Sequence, residues 1–204
     1  MRQAPFAALA LTLALAACGA NQAQVRSSAQ KSRHRSIAVL PFDYRGGERN
    51  AAPQAGDAFE RRLRADGFKL ADRGKARNVY AASLDAKLGA FGDPARAAEL
   101  ARALGVSAIV VGACDNAFDR VQRIPAQTRV DPITRRQILI APADTDRQAG
   151  VSLRVRLIDA AGGAILWEAQ YSATLHHSAL SQVADQAASV LHDQFTDALL
   201  QGRF

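Results

Sequence analysis

The chain has 204 residues, 49% of them apolar and 22% charged, with a formal net charge of +7 and two cysteines. This composition excludes a disordered chain, and the cysteine count excludes a small scaffold held together by disulfides. The basic balance suits an anionic headgroup, an acidic glycan or an acidic partner.

At the N-terminus Arg2 precedes an apolar run from Ala4 to Ala17 that stops at Cys18. The run has about 14 residues against the roughly 20 that a permanent transmembrane helix needs, so residues 1–17 read as a signal peptide. Leu15-Ala16-Ala17-Cys18 resembles the lipobox of bacterial lipoproteins, which makes Cys18 the expected lipidation site and first mature residue. Gly19 follows where an inner-membrane lipoprotein would carry Asp, so the expected location is the periplasmic side of the outer membrane, with the inner membrane as the alternative. After the lipidated cysteine, Gly19 to Arg35 is rich in Gln, Ser and Arg and reads as a disordered tether, closing residues 18–35. Its basic end, Lys31, Arg33, His34 and Arg35, faces anionic headgroups or plain solvent.

Residues 36–204 form the expected periplasmic domain. Ser36 to Phe42 is a compact branched run closed by Pro41-Phe42, a buried-strand pattern. The spacing of Phe59 and Leu63 predicts an amphipathic helix from Ala55 to Asp66, stopped by Gly67. Phe68 to Ala71 reads as a second strand, and a second helix is expected around Ala76 to Leu88. Asp93-Pro94 then supplies an N-cap and first-turn proline for a helix ending at Gly105. Val106 to Val111 is another apolar strand.

From Asp115 to Gly150 the pattern breaks. Pro125, Pro132 and Pro142 interrupt it, arginines are scattered through it, and only Gln137 to Ala141 reads as a short strand. The expectation is a long ordered loop or short extra hairpin, with Arg120, Arg123, Arg129, Arg135 and Arg136 as the partner-binding residues, because partner surfaces are often loops held on a rigid scaffold. Val151 to Ile158 and Ala164 to Thr174 flank turn residues and predict a β-hairpin that buries Val151, Leu153, Val155 and Leu157 and leaves Arg154 and Arg156 wet. Apolar positions from Leu180 to Ala198 recur at helical spacing, giving a closing helix across the sheet. The fold class is therefore α/β, a mixed β-sheet with flanking helices in the order β-α-β-α-α-β, then the hairpin and a C-terminal helix.

Four stretches in this order carry a further resemblance: residues 37–42, residues 67–73, Leu104 to Gly112, and Val155 to Trp167 with its tryptophan on the return strand. Behind a lipobox they resemble the CsgG-like family of envelope lipoproteins, which includes the curli-secretion channel and, more distantly, the penicillin-binding-protein activator LpoB. The resemblance implies a periplasmic α/β domain that binds or assembles, with no catalytic residues to transfer. It leaves two forms open, a soluble adaptor with envelope protein partners or an oligomeric channel subunit whose hairpins cross the membrane; a homo-oligomer fits either.

No cofactor and no metal are expected, and export removes the usual encounter with nucleic acid. His176-His177 has no nearby carboxylate or cysteine at metal-site spacing, and Cys114 follows an apolar strand as a small core residue would. Gly46-Gly47 lacks the rest of a phosphate loop. A Rossmann-like enzyme is the remaining alternative, and it requires Asp43, Asp72 and a histidine to meet in one pocket.

Overall fold

The computed structural model describes residues 36–82 and 89–201. The signal peptide, Cys18, the tether and the part of the second helix expected beyond Ala82 lie outside the described residues.

The elements run β1 (Ile37–Val39), β2 (Asp43–Tyr44), α1 (Ala51–Ala65), α2 (Arg73–Ala82), α3 (Gly89–Gly92), α4 (Pro94–Leu104), β3 (Ala108–Ile124), β4 (Gln127–Val130), β5 (Gln137–Ala141), β6 (Asp144–Asp159), β7 (Ile165–His176) and α5 (Leu180–Leu200). The main sheet is mixed and ordered β1-β3-β6-β7, with β2 also on β3. β1 and β2 run parallel to β3, and β6 and β7 follow antiparallel. A parallel pair needs a long crossover, which α1 to α4 provide. This is the α/β class expected from the sequence.

Each face of the sheet has its own core. On one face Val110, Leu153, Val155 and Leu157 meet α1 and α5 through Phe59, Leu63, Leu191 and Phe195, with Trp167 at the centre. Trp167 and Phe195 stand edge to face at 5.3 Å, and Phe59 and Phe68 flank Phe195 at 6.1 and 5.9 Å. On the other face Ile109, Val111 and Ile158 pack on Phe91, Leu100 and Leu104. Residues 109–111 are apolar without alternation because both faces are covered there. Further along β6 the alternation returns, since one side remains buried while the other is polar.

α4 is specified locally. The Asp93 carboxylate accepts the Arg96 amide at 3.1 Å, Pro94 occupies the first turn, and Gly105 ends the helix at φ 71°. The other helices depart from expectation at their starts: α1 begins at Ala51, and α2 begins at Arg73, where Asp72 accepts the Lys75 amide at 2.7 Å. That early cap also corrects the second strand. Residues 68–71 make a single parallel bridge, Leu70 to Ile37, before the helix begins.

The largest correction concerns residues 115–150. The loop expectation fails, because β3 and β6 continue as one antiparallel ribbon from Ala117↔Val151 to Ile124↔Asp144, whereas the short extra hairpin is present at its end as β4–β5, with the expected strand Gln137–Ala141 as β5. A bulge between Cys114 and Asn116 inserts Asp115 and resets the alternation, so that Ala117 returns to the buried face. Pro125 and Pro142 fall outside the strands, at the joint between this ribbon and the β4–β5 hairpin, where no ladder hydrogen bond is lost. Pro132 falls in the terminal turn.

Candidate functional site

The ribbon and its terminal hairpin form a finger that projects from the sheet. At 3.3–3.4 Å per residue β3 is roughly 55 Å long. Beyond Asp119 the side chains of β3 become exposed, as do those of β4 and all but the last residue of β5.

The base of the finger is fixed by packing and charge. The Phe118 ring lies on Gly150, where an added Cβ would come within 2.4 Å of the ring, so only glycine admits this approach. The Arg120 guanidinium stacks over Phe118 at 5.1 Å. On the opposite face Arg147 donates to both carboxylate oxygens of Asp119, at 2.9 and 2.5 Å. That pairing holds the Asp119 carboxyl below the usual carboxylate range, helped by the Leu180 amide at the start of α5.

The tip is organised by Asp131. Its carboxylate accepts the Ile133 amide at 2.9 Å and the Thr134 hydroxyl at 2.6 Å, and these bonds lower its pKa. Its backbone closes the turn: the Asp131 amide donates to Arg136 at 2.9 Å, and the Arg135 amide donates to Asp131 at 2.8 Å. Arg135 takes a positive φ of 54° to complete it.

What the finger presents is unusual in composition. Among the described residues, the exposed large apolar side chains are Val121, Ile124, Val130, Ile133, Ile138, Leu139 and Ile140, all on the finger, together with Tyr44 elsewhere. Ile133 is 89% exposed. Ile138 and Leu139 pair in regular succession with Arg129 and Thr128 and so lie on opposite sides of the hairpin, while Ile140 is the extra residue of a bulge opposite Gln127 and Thr128. Between residues 120 and 143 the only acid is Asp131, whereas Arg120, Arg123, Arg129, Arg135 and Arg136 all occur there. These arginines are spread along the finger rather than gathered in one pocket: Arg123 pairs across from Thr145, Arg129 across from Ile138, and Arg135 and Arg136 stand in the turn.

The other candidates fall elsewhere. Asp43 accepts the Tyr80 hydroxyl and the Phe91 amide, the latter at 3.0 Å, while Asp72 caps α2; among the described residues no histidine joins either. Burial and the Asp43 carboxylate raise the Tyr80 pKa well above that of free tyrosine. His176 and His177 are exposed, with ring centroids 6.5 Å apart and Asp146 at 3.5 Å from His176 Nδ1. Among the described residues no group of three or more His, Cys, Asp or Glu could hold a metal ion. Cys114 is fully buried, and burial pushes its thiol up to about 11.

Sequence reasoning missed one polar cluster. Arg154 and Arg156, expected to be wet, are half-buried and stack on the Phe91 ring at 5.0 and 4.1 Å, with Arg45 at 5.2 Å. Arg154 donates twice to Asp115 at 2.6 Å, and Arg156 donates to Glu168 at 2.9 Å and to the Phe91 carbonyl at 2.7 Å. The in-register pair Arg156↔Glu168 was a readable signal; the arrival of α3 over these arginines was not.

Comparison with known proteins adds the fold. No family model and no curated protein matches this chain. Among solved structures, lipoprotein GNA1162 from Neisseria meningitidis aligns at TM-score 0.50 and 15% identity, over 79% of this chain and 98% of that one. The PelC dodecamer from Paraburkholderia phytofirmans gives 0.48 and 20%, over 81% and 89%. The LpoB C-terminal domain from Salmonella enterica gives 0.44 and 14%, over 69% and 82%. At these identities the GNA1162 likeness establishes a shared fold and nothing about activity.

Proposed function

We propose that this chain is a non-catalytic binding or assembly component of the bacterial envelope, anchored through lipidated Cys18 on the periplasmic side of the outer membrane. The finger is its contact element. One observation carries this reading: exposed apolar side chains are concentrated on a single projection that is stiffened as a continuation of core strands. A rigid scaffold presenting such a patch is suited to recognition. Arg120, Arg123, Arg129, Arg135 and Arg136 supply the charge that orients the encounter. The lipobox-like Leu15-Ala16-Ala17-Cys18 and the fold shared with a lipoprotein support the envelope location.

A second reading, an oligomeric channel subunit of the CsgG type, is favoured by the unbroken pairing from Ala117↔Val151 to Ile124↔Asp144. Against it, a spanning strand needs about 9–11 residues with one continuous lipid-facing row. Residues 118–124 offer Phe118, Arg120, Gln122 and Ile124 on one side and Asp119, Val121 and Arg123 on the other. Neither row is apolar throughout.

The test replaces residues 125–142 by a short Gly/Ser turn. Because loop-closure entropy changes slowly with length, the thermal midpoint should stay within a few degrees of the parent. A photo-cross-linker at Leu139 of the parent should give adducts, to protein or to lipid, in native envelopes, and the finger-deleted chain should lose the parent's envelope contacts. Unchanged envelope contacts in a folded deletion chain would remove the finger from the function.

A further inference from the structure

Resting on that reading of the finger, we propose that what it contacts is an anionic lipid surface, in which the tip lies at the headgroup–acyl boundary without crossing the bilayer. Four observations lead there. First, apolar side chains occupy both faces of the terminal hairpin, with Ile138 on one side, Leu139 on the other, Ile140 in the bulge and Ile133 at the turn. A flat protein surface covers one face of a ribbon; a fluid interface wets both.

Second, the charge is complementary to phosphate. Between residues 120 and 143 there are five arginines and one acid, and the acid is consumed by the turn it organises. Arginine stems lie along apolar surface while the guanidinium reaches the headgroups. Third, the finger is too charged to cross. Its exposed ribbon carries Arg120, Arg123 and Arg129 along its length, where a spanning strand keeps one lipid-facing row apolar. Arg135 and Arg136 sit in the leading turn, and a guanidinium at the bilayer centre is strongly disfavoured. An interfacial depth of roughly 5–10 Å accommodates Ile133 and leaves both arginines among headgroups.

Fourth, the length of chain preceding Ser36 permits it. Ser36 stands beside the start of β3, so the finger lies at the far end of a strand roughly 55 Å long. The stretch from Gly19 to Arg35 has a contour of roughly 56–61 Å. An anchor at Cys18 therefore lets the domain lie along the membrane with its finger on the same surface.

The test uses the full mature chain, purified from membranes and reconstituted in vesicles, with an environment-sensitive fluorophore on Ile133→Cys. Cys114 is buried, and lipidation consumes the Cys18 thiol. The same label on Gln170→Cys, exposed on the sheet, is the control. In vesicles of phosphatidylcholine mixed with phosphatidylglycerol, a quencher placed on the lipid chains should quench residue 133 and spare residue 170. The quenching should vanish in pure phosphatidylcholine, and in the mixed vesicles when Arg129, Arg135 and Arg136 are changed to Glu. An unquenched residue 133 in the anionic vesicles would overturn the proposal, and so would equal quenching at both positions. Stepwise conductance would also overturn it, because the strands would then cross. If residue 133 stays in water while Leu139 gives protein adducts in envelopes, the lipid assignment falls and the binding function stands.

Discussion

Arg154 and Arg156 show how a residue's role depends on what arrives above it. By alternation alone they belong on a solvent face, yet α3 places Phe91 over that face and turns them into a packed cationic layer. Cys114 illustrates the reverse case, in which local pattern sufficed: an apolar run predicts a core thiol, and the side chain is buried with its pKa pushed up to about 11. Its Sγ should resist a thiol reagent at neutral pH and react only after denaturant is added, as colorimetric titration would show; rapid labelling in native buffer would contradict the burial. Asp185 gives a pH dependence. Hydrogen bonds from Arg62, at 3.0 and 2.8 Å, and Arg61 hold its carboxyl below the ordinary value. A depressed folded pKa stabilises above the unfolded value of about 4 and is lost as pH falls through the folded one. Asp185→Asn should therefore lower the urea midpoint near neutrality and flatten its decline below about pH 4. An unchanged acid limb would mean that the pair is broken in solution.

At the scale of elements, α5 and the β6–β7 pair carry much of one core. Leu157 and Leu191 are 1% and 0% exposed on facing elements, so each substitution to alanine should cost about 2–5 kcal/mol in denaturant titration. Losses under about 1 kcal/mol at both sites would show that the faces do not pack as described. α4 was legible to the residue because both of its ends are written locally, by Asp93-Pro94 and by Gly105. The hairpin and α5 were legible from periodicity. Residues 68–71 were not, because an extended tetrapeptide becomes a strand only if its neighbour pairs along its length, and here pairing ends after one bridge. The finger was misread because prolines suggested breaks, although they fall at a joint and a turn between paired segments.

For the molecule as a whole, the anchor and the fold make separable predictions. Cys18→Ser should abolish incorporation of labelled fatty acid and release the chain from membranes in fractionation; a membrane-bound, unlabelled parent would end the lipoprotein proposal. The fold it shares with GNA1162 persists at 15% identity, as expected when apolar pattern rather than particular residues specifies a layered sheet. The amino-acid sequence by itself determined the class of the fold, the caps of α4, the buried alternation of β6 and the apolar stripe of α5. These depend on residues within a turn or a few positions of one another. Tertiary structure alone decided that β3 and β6 run on together as a finger, that Phe91 roofs the arginines, and that most of the exposed large apolar residues among those described lie along that finger. Each of these requires segments tens of residues apart to meet, and such pairing is fixed by the joint packing of many side chains rather than by any local motif.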